Sequence, residues 1–152
     1  MSRLGRSGTV LSMRSLGFAF LLAIAATGCS KTETTAAGDH KSSIPEVTVA
    51  QVDSMLAKNE CQAVDANGEG TRKKLGTLPG AVLLTDSEMF APSELPADKA
   101  KTLVFYCANT QCGASHEAAE KALTAGHKNV RVMPEGIAGW VKAGKQTTKL
   151  GS

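Results

Sequence analysis

The sequence predicts a single α/β domain, a central mostly parallel sheet flanked by helices on both faces. Three observations predict it. Residues 103–106, Leu-Val-Phe-Tyr, run apolar without alternation, the pattern of a strand buried on both faces. Further short strand-like runs at 46–48, 61–65, 81–84 and 130–133 are separated by stretches of helical spacing, and strands alternating with helices build parallel sheets. Turn signals punctuate the chain between them, Pro79-Gly80 the strongest.

The 152 residues have room for one domain and a targeting segment. Arg3, Arg6 and Arg14 precede an apolar stretch at 16–26 that is too short for a comfortable membrane span. It ends in Ala26-Thr27-Gly28-Cys29, small residues before a cysteine. This resembles the lipobox of bacterial lipoproteins, although Ala26 stands where Leu is usual; the other reading is an ordinary cleaved secretory signal. The resemblance implies a signal peptide at 1–28 and lipid attachment at Cys29. It also implies a periplasm-facing membrane lipoprotein, with Ser30 favouring the outer membrane over the inner. Residues 29–43 are polar and read as a flexible tether, with His40 a solvated linker histidine. The domain is expected at 44–149.

Hydrophobic residues at 42% and charged residues at 20% exclude wholesale disorder. The net charge of +3 is carried by the three N-terminal arginines, so the remainder is neutral. No basic stripe is present to neutralise phosphates, and nucleic acid is not expected as a partner.

Within the domain, Thr48 reads as the N-cap of a first helix whose inward face is Val52, Met55 and Leu56, ending near Lys58. The strand at 61–65 closes on Asp65, and Cys61 on it reads as core. Residues 71–75 form a short helix stopped by Gly76, and Arg72, Lys73 and Lys74 there read as a solvated positive face or as steering charge for an anion. Pro92 and Pro96 prevent a long element over 86–100. Ala114, Ala118, Ala119 and Ala122 give the helical pattern of the next helix, starting near Gly113, and His127 lies in its C-terminal cap region. Residues 136–143 form a short helix presenting Trp140 as a core plug, and 146–152 a tail.

Cys107 stands at the switch from strand to helix. A cysteine there faces free backbone N–H groups and the positive end of a helix dipole, which favour thiolate over thiol.

Four separated features then resemble the rhodanese family: Asp65 closing an early strand, the Gly76-Thr77-Leu78-Pro79-Gly80-Ala81 turn, Cys107 after a buried strand, and the Gly136-Ile137…Trp140…Gly144 close. The resemblance covers about residues 47–149. It implies a catalytic Cys107 that attacks a small sulfur-containing anion such as thiosulfate, carries the sulfur as a persulfide, and passes it to a thiol acceptor. No cofactor is implied. Backbone N–H groups of Ala108, Asn109, Thr110, Gln111, Cys112 and Gly113 suit an anion cradle. Asn109, Thr110 and Gln111 offer neutral side-chain donors, and Gly113 allows a sharp turn. Asp65, Ser115 and Trp140 are supporting residues, Asp65 by anchoring loop backbone.

The chain departs from the family pattern at Asn67, where Arg is usual, at Thr77, where His is usual, and at the loop. Ser115 comes at the eighth position after Cys107 rather than the sixth. Cys112 adds a second loop cysteine, read either as a resolving or disulfide partner of Cys107 or as a small packing residue. His116 completes C-x4-C-x3-H, but three ligands at this spacing do not make a usual zinc motif, and no metal is expected; His116 reads as an exposed first-turn residue.

Three functional classes follow. The first is a sulfurtransferase or persulfide carrier. The second is a redox or binding module using Cys107 and Cys112. The third is a cysteine phosphatase or arsenate reductase, which needs a guanidinium in the loop that this sequence lacks.

Overall fold

Four parallel strands form one sheet in the order β2-β1-β3-β4: β1 (Gln62–Asp65), β2 (Val82–Leu83), β3 (Leu103–Tyr106) and β4 (Val130–Met133). The computed structural model describes residues 44–150; the expected signal peptide at 1–28, the expected lipid attachment at Cys29 and the expected tether with His40 lie outside the described residues. The helices are α1 (Val49–Ala57), α2 (Glu69–Leu75), α3 (Ala114–Thr124) and α4 (Gly136–Lys142).

β3 is central because every one of its residues is buried, and it pairs on both sides, Phe105 lying between Val64 and Val132. Its residues alternate between two cores. Leu103 and Phe105 pack with Ala118, Ala119 and Ala122 of α3. Val104 and Tyr106 pack with Val52, Leu78, Ile137 and Trp140 on the face covered by α1 and α4. A run with no polar alternation is what a strand covered on both faces requires. The alanine stripe of α3 has no bulk, which lets the helix lie close on the sheet.

Local signals set the helix ends. Thr48 caps α1 in a capping box with Gln51. The C-termini of α1, α3 and α4 close alike, with positive φ at Asn59, Gly126 and Gly144. The next N–H reaches back to the last turn: Glu60 to Met55 O (2.8 Å), His127 to Ala122 O (3.1 Å) and Lys145 to Trp140 O (3.2 Å).

Several elements differ from expectation. α2 begins at Glu69, two residues early, because Gly68 supplies the extended N-cap and Glu69 sits at the positive helix end. β2 is only two residues, an edge strand with one neighbour. The run at 46–48 makes a single bridge, Glu46 to Val132, with Val47 N–H donating to Val132 O (2.8 Å) and Val132 N–H to Pro45 O (3.0 Å). Pro45 has no N–H to extend the ladder. Over 86–100 one 3-10 turn forms, Pro92–Glu94. The tail is tied down: Thr77 and Thr148 exchange backbone bonds of 2.9 Å in an antiparallel bridge.

Candidate active site

The alternation that sends Leu103 and Phe105 towards α3 sends Cys107 the same way, one step past the end of β3. The residue is only 1% exposed. Its Sγ lies 3.0 Å from the Cys112 carbonyl oxygen and 3.3 Å from Ser115 Oγ. The lengthened loop thus still brings Ser115 to the sulfur. The backbone at the cysteine is pinned from the other side by the first turn of α4. Ile137 N–H donates to Cys107 O (2.9 Å) and Ala138 N–H to Ala108 O (3.0 Å). Gly136 makes this approach possible: its φ is +60°, and a Cβ there would overlap Cys107 O and stand 2.7 Å from the Ala108 carbonyl carbon.

The extra loop length is taken up by a turn organised on Asn109. Its Oδ1 accepts the Gln111 N–H (3.0 Å) and its carbonyl accepts the Cys112 N–H (3.1 Å). This corrects the expected cradle. The N–H groups of Gln111 and Cys112 are committed within the loop, and the Asn109 side chain accepts one of them through Oδ1. The N–H groups that face sulfur belong to Ser115 at Cys107 and to Ala108 and Ala114 at Cys112. Thr110 and Gln111 are exposed at the loop tip. Gly113 has an ordinary helical φ of −80° and caps α3 without a special conformation, so the sharp turn expected of it is not made.

The electrostatics reverse the expected thiolate. Burial pushes the Cys107 thiol up, its hydrogen bond to the Cys112 side chain adds to this, and Ser115 only partly opposes it. Cys112 is less buried. Its own desolvation is outweighed by the hydrogen bond from Cys107 and by the N–H groups of Ala108 and Ala114, which together hold it below the ordinary thiol value. Within the pair, the Cys107 thiol is the harder to ionise and the Cys112 thiol the easier. The helix end that was expected to serve Cys107 serves its neighbour.

Asp65 does anchor backbone: its Oδ1 accepts the Asn67 N–H at 2.7 Å. Its Oδ2 accepts the Tyr106 hydroxyl at 2.6 Å, and that hydroxyl in turn accepts the Leu78 N–H at 3.0 Å. The carboxylate is fully buried, so it needs a cation, and Arg72 supplies it, with Nε 3.3 Å from Oδ1. Arg72 Nη2 also donates to Asp65 O (2.9 Å) and Leu84 O (2.8 Å). Arg72 is therefore neither solvated face nor steering charge, while Lys73 and Lys74 are exposed. Burial and the nearby Asp65 charge push the Tyr106 phenol far up, so it stays a donor. Sequence reasoning missed Tyr106, although a hydroxyl ending a buried strand demands a partner.

Trp140 is buried in the core on the other face of the sheet from Cys107, its Nε1 donating to Gln146 O at 2.8 Å. Cys61 is buried and its thiol is pushed up by that burial. It lines a cavity of about 450 Å³ with Trp140 and Gly80, beside the amino end of β1, and Cys107 is not in that lining. His116 is half-buried with Nε2 3.9 Å from Glu46 Oε1. His127, beyond its cap bond, is buried; desolvation and then Lys99 hold its imidazole below the usual value.

A protein-family model, the Rhodanese-like domain, matches residues 48–143. No curated protein matches the chain. Among solved structures, a Rhodopseudomonas palustris protein of unknown function, described as a possible tyrosine phosphatase, is 24% identical, with 69% of this chain and 85% of that one covered at a TM-score of 0.58. A human single-domain sulfurtransferase is 20% identical, covering 64% and 96%, at a TM-score of 0.51. An Escherichia coli protein described with the rhodanese fold and the mechanism of 3-mercaptopyruvate sulfotransferases is 20% identical, covering 70% and 52%, at a TM-score of 0.55. The sheet order, the loop after β3 and the family match over more than half of the sequence agree, and the chain belongs to the Rhodanese-like domain family.

Proposed function

We propose that this chain is a sulfurtransferase or persulfide carrier in which Cys107 accepts a sulfane sulfur from a thiosulfate-like anion. The observation that carries the reading is the position of Cys107 at the carboxyl end of the central strand, its Sγ enclosed by one loop and 3.3 Å from the Ser115 hydroxyl. Attack on the outer sulfur of the donor forms the Cys107–sulfur bond, breaks the donor's sulfur–sulfur bond and releases sulfite. Cys112, hydrogen-bonded to the Cys107 thiol and held below the ordinary thiol value, takes the proton as attack begins.

The phosphatase reading lacks its cation. No residue from Ala108 to Gly113 is Arg or Lys, and Arg72 is held on Asp65. A tetrahedral phosphate in the loop has no guanidinium to clamp it. The redox-module reading draws support from the thiol–thiol contact. The two are separated by sulfite release from the reduced full chain mixed with thiosulfate. One sulfite per chain, abolished in Cys107→Ser, is expected. Absence of sulfite with wild type overturns the sulfur-acceptor reading.

We propose further that the chain sits on the periplasmic side of a membrane, held by lipid on Cys29, a reading supported by the resemblance of residues 1–29 to a lipoprotein signal and lipobox. Labelled fatty acid incorporated into wild type and lost in Cys29→Ser is the expected result; equal labelling of both overturns it.

A further inference from the structure

We propose that Cys112 discharges the sulfur from Cys107 within the same chain, releasing it as sulfide and leaving a Cys107–Cys112 disulfide. The inference rests on the reading of Cys107 as sulfur acceptor and adds the fate of the sulfur.

Geometry comes first. The Asn109 turn folds Cys112 back over Cys107, so that the Cys112 carbonyl lies 3.0 Å from Cys107 Sγ and the Cys112 side chain packs on the same apolar cluster. An external thiol must be delivered to Cys107, whereas Cys112 already stands against it in the same loop, its carbonyl 3.0 Å from Cys107 Sγ. Closing the disulfide requires the Cys112 side chain to turn onto that sulfur with the two Cα atoms ~4.4–6.8 Å apart.

A charged persulfide on Cys107 has hydrogen-bond donors at Ser115 but no cation in the loop, since residues 108–113 contain no Arg or Lys and the N–H groups of Gln111 and Cys112 are bonded to Asn109. A route that expels the charge relieves a buried anion that no cation balances.

The step balances. After transfer, Cys107 carries one sulfane sulfur, and the proton first taken by Cys112 passes to that outer sulfur, leaving Cys112 as thiolate. Cys112 attacks Cys107 Sγ, and the Sγ–Sγ bond forms. The bond from Cys107 to the outer sulfur breaks, and its electron pair leaves with hydrosulfide. The two cysteines are oxidised by two electrons, and the sulfane sulfur is reduced by two. A dithiol reductant, small or protein, then reopens the disulfide. The net reaction consumes thiosulfate and a dithiol and yields sulfite, sulfide and a disulfide.

The test uses the full chain, reduced and freed of added thiol under nitrogen, with thiosulfate as the probe. Sulfite, trapped sulfide and intact mass are read together. Wild type is expected to release one sulfide per sulfite and to end two hydrogens lighter, with no sulfur retained. Cys112→Ser and Cys112→Ala are expected to release sulfite more slowly, because the proton acceptor is gone, but still to release no sulfide and to retain the mass of one sulfur. Sulfite with retained sulfur in wild type overturns the discharge step and leaves Cys107 as a carrier. Sulfur gained on Cys112 in Cys107→Ser overturns the assignment of roles. No sulfite from wild type overturns the acceptor reading and this inference with it.

Discussion

At the residue scale, the charge balance around Asp65 and within the cysteine pair governs what the site can do. Asp65 is fully buried and holds three parts of the molecule through Asn67, Tyr106 and Arg72. Removing the guanidinium leaves that carboxylate without a cation and takes the Arg72 donor from the Asp65 and Leu84 carbonyls, of which Asp65 O keeps the Leu84 N–H. Arg72→Met is expected to destabilise the domain by about 3–5 kcal/mol, the usual cost of breaking one half of a buried pair. A urea unfolding midpoint close to wild type would contradict it. The cysteine pair makes a pH prediction. Alkylation needs thiolate, so a lowered value moves its onset to lower pH and a raised one to higher pH. With iodoacetamide and peptide mapping, Cys112 is expected to react from a lower pH than an ordinary thiol, and Cys107 only at a higher one. Exposure alone orders them alike, so the deciding measurement is Cys107 in Cys112→Ser. Loss of the neighbour that raises it should shift its onset downward, and an unchanged onset argues against coupling.

At the element scale, the site is a joint between two helix starts. The first turn of α4 holds the backbone of Cys107 and Ala108, while α3 brings Ser115 to the sulfur. Gly136→Ala forces a side chain into a left-handed position and against the Ala108 backbone. The conformation alone costs about 1–2 kcal/mol. The expected outcome is a lowered thermal midpoint together with slower sulfite release, since the overlap is with the nucleophile's own backbone; unaltered release rates would show that α4 does not position the cysteine. Much of this level was legible in the sequence. Thr48, Gly113 and the Gly126-His127 pair mark helix ends, and they do so because caps are local chemistry. The start of α2 was misread because Gly68 is a weak cap signal beside Thr71, and β2 because an edge strand needs only a short register.

At the scale of the whole molecule, both ends of the described chain close it. Residues 45–47 extend the sheet beyond β4, and Thr148 pairs with Thr77 beside Leu78, whose N–H donates to the Tyr106 hydroxyl. Trp140 depends on the same tail, its indole N–H reaching Gln146 O at 2.8 Å. Truncation after Lys145 strips the partners from a buried indole and from Thr77. A loss of about 1–3 kcal/mol per buried group left unpaired is expected. Urea unfolding of the truncated chain measures it, and full stability without the tail would show those bonds to be incidental.

The sequence by itself determined the fold class, the central strand, the place of Cys107 at its end and the helix that follows. Each is written in periods of two or of 3.6 residues and in local caps, which a short window contains. Only the tertiary structure decided which thiol is the easier to ionise, that Arg72 is buried, and that Asp65 answers to Tyr106. The last is an approach between residues 41 apart, as the Thr77–Thr148 pairing is between residues 71 apart. No short window spans such distances, and burial, which pushes the Cys107 thiol and the Tyr106 phenol up and makes Asp65 need Arg72, exists only once the chain has closed around them.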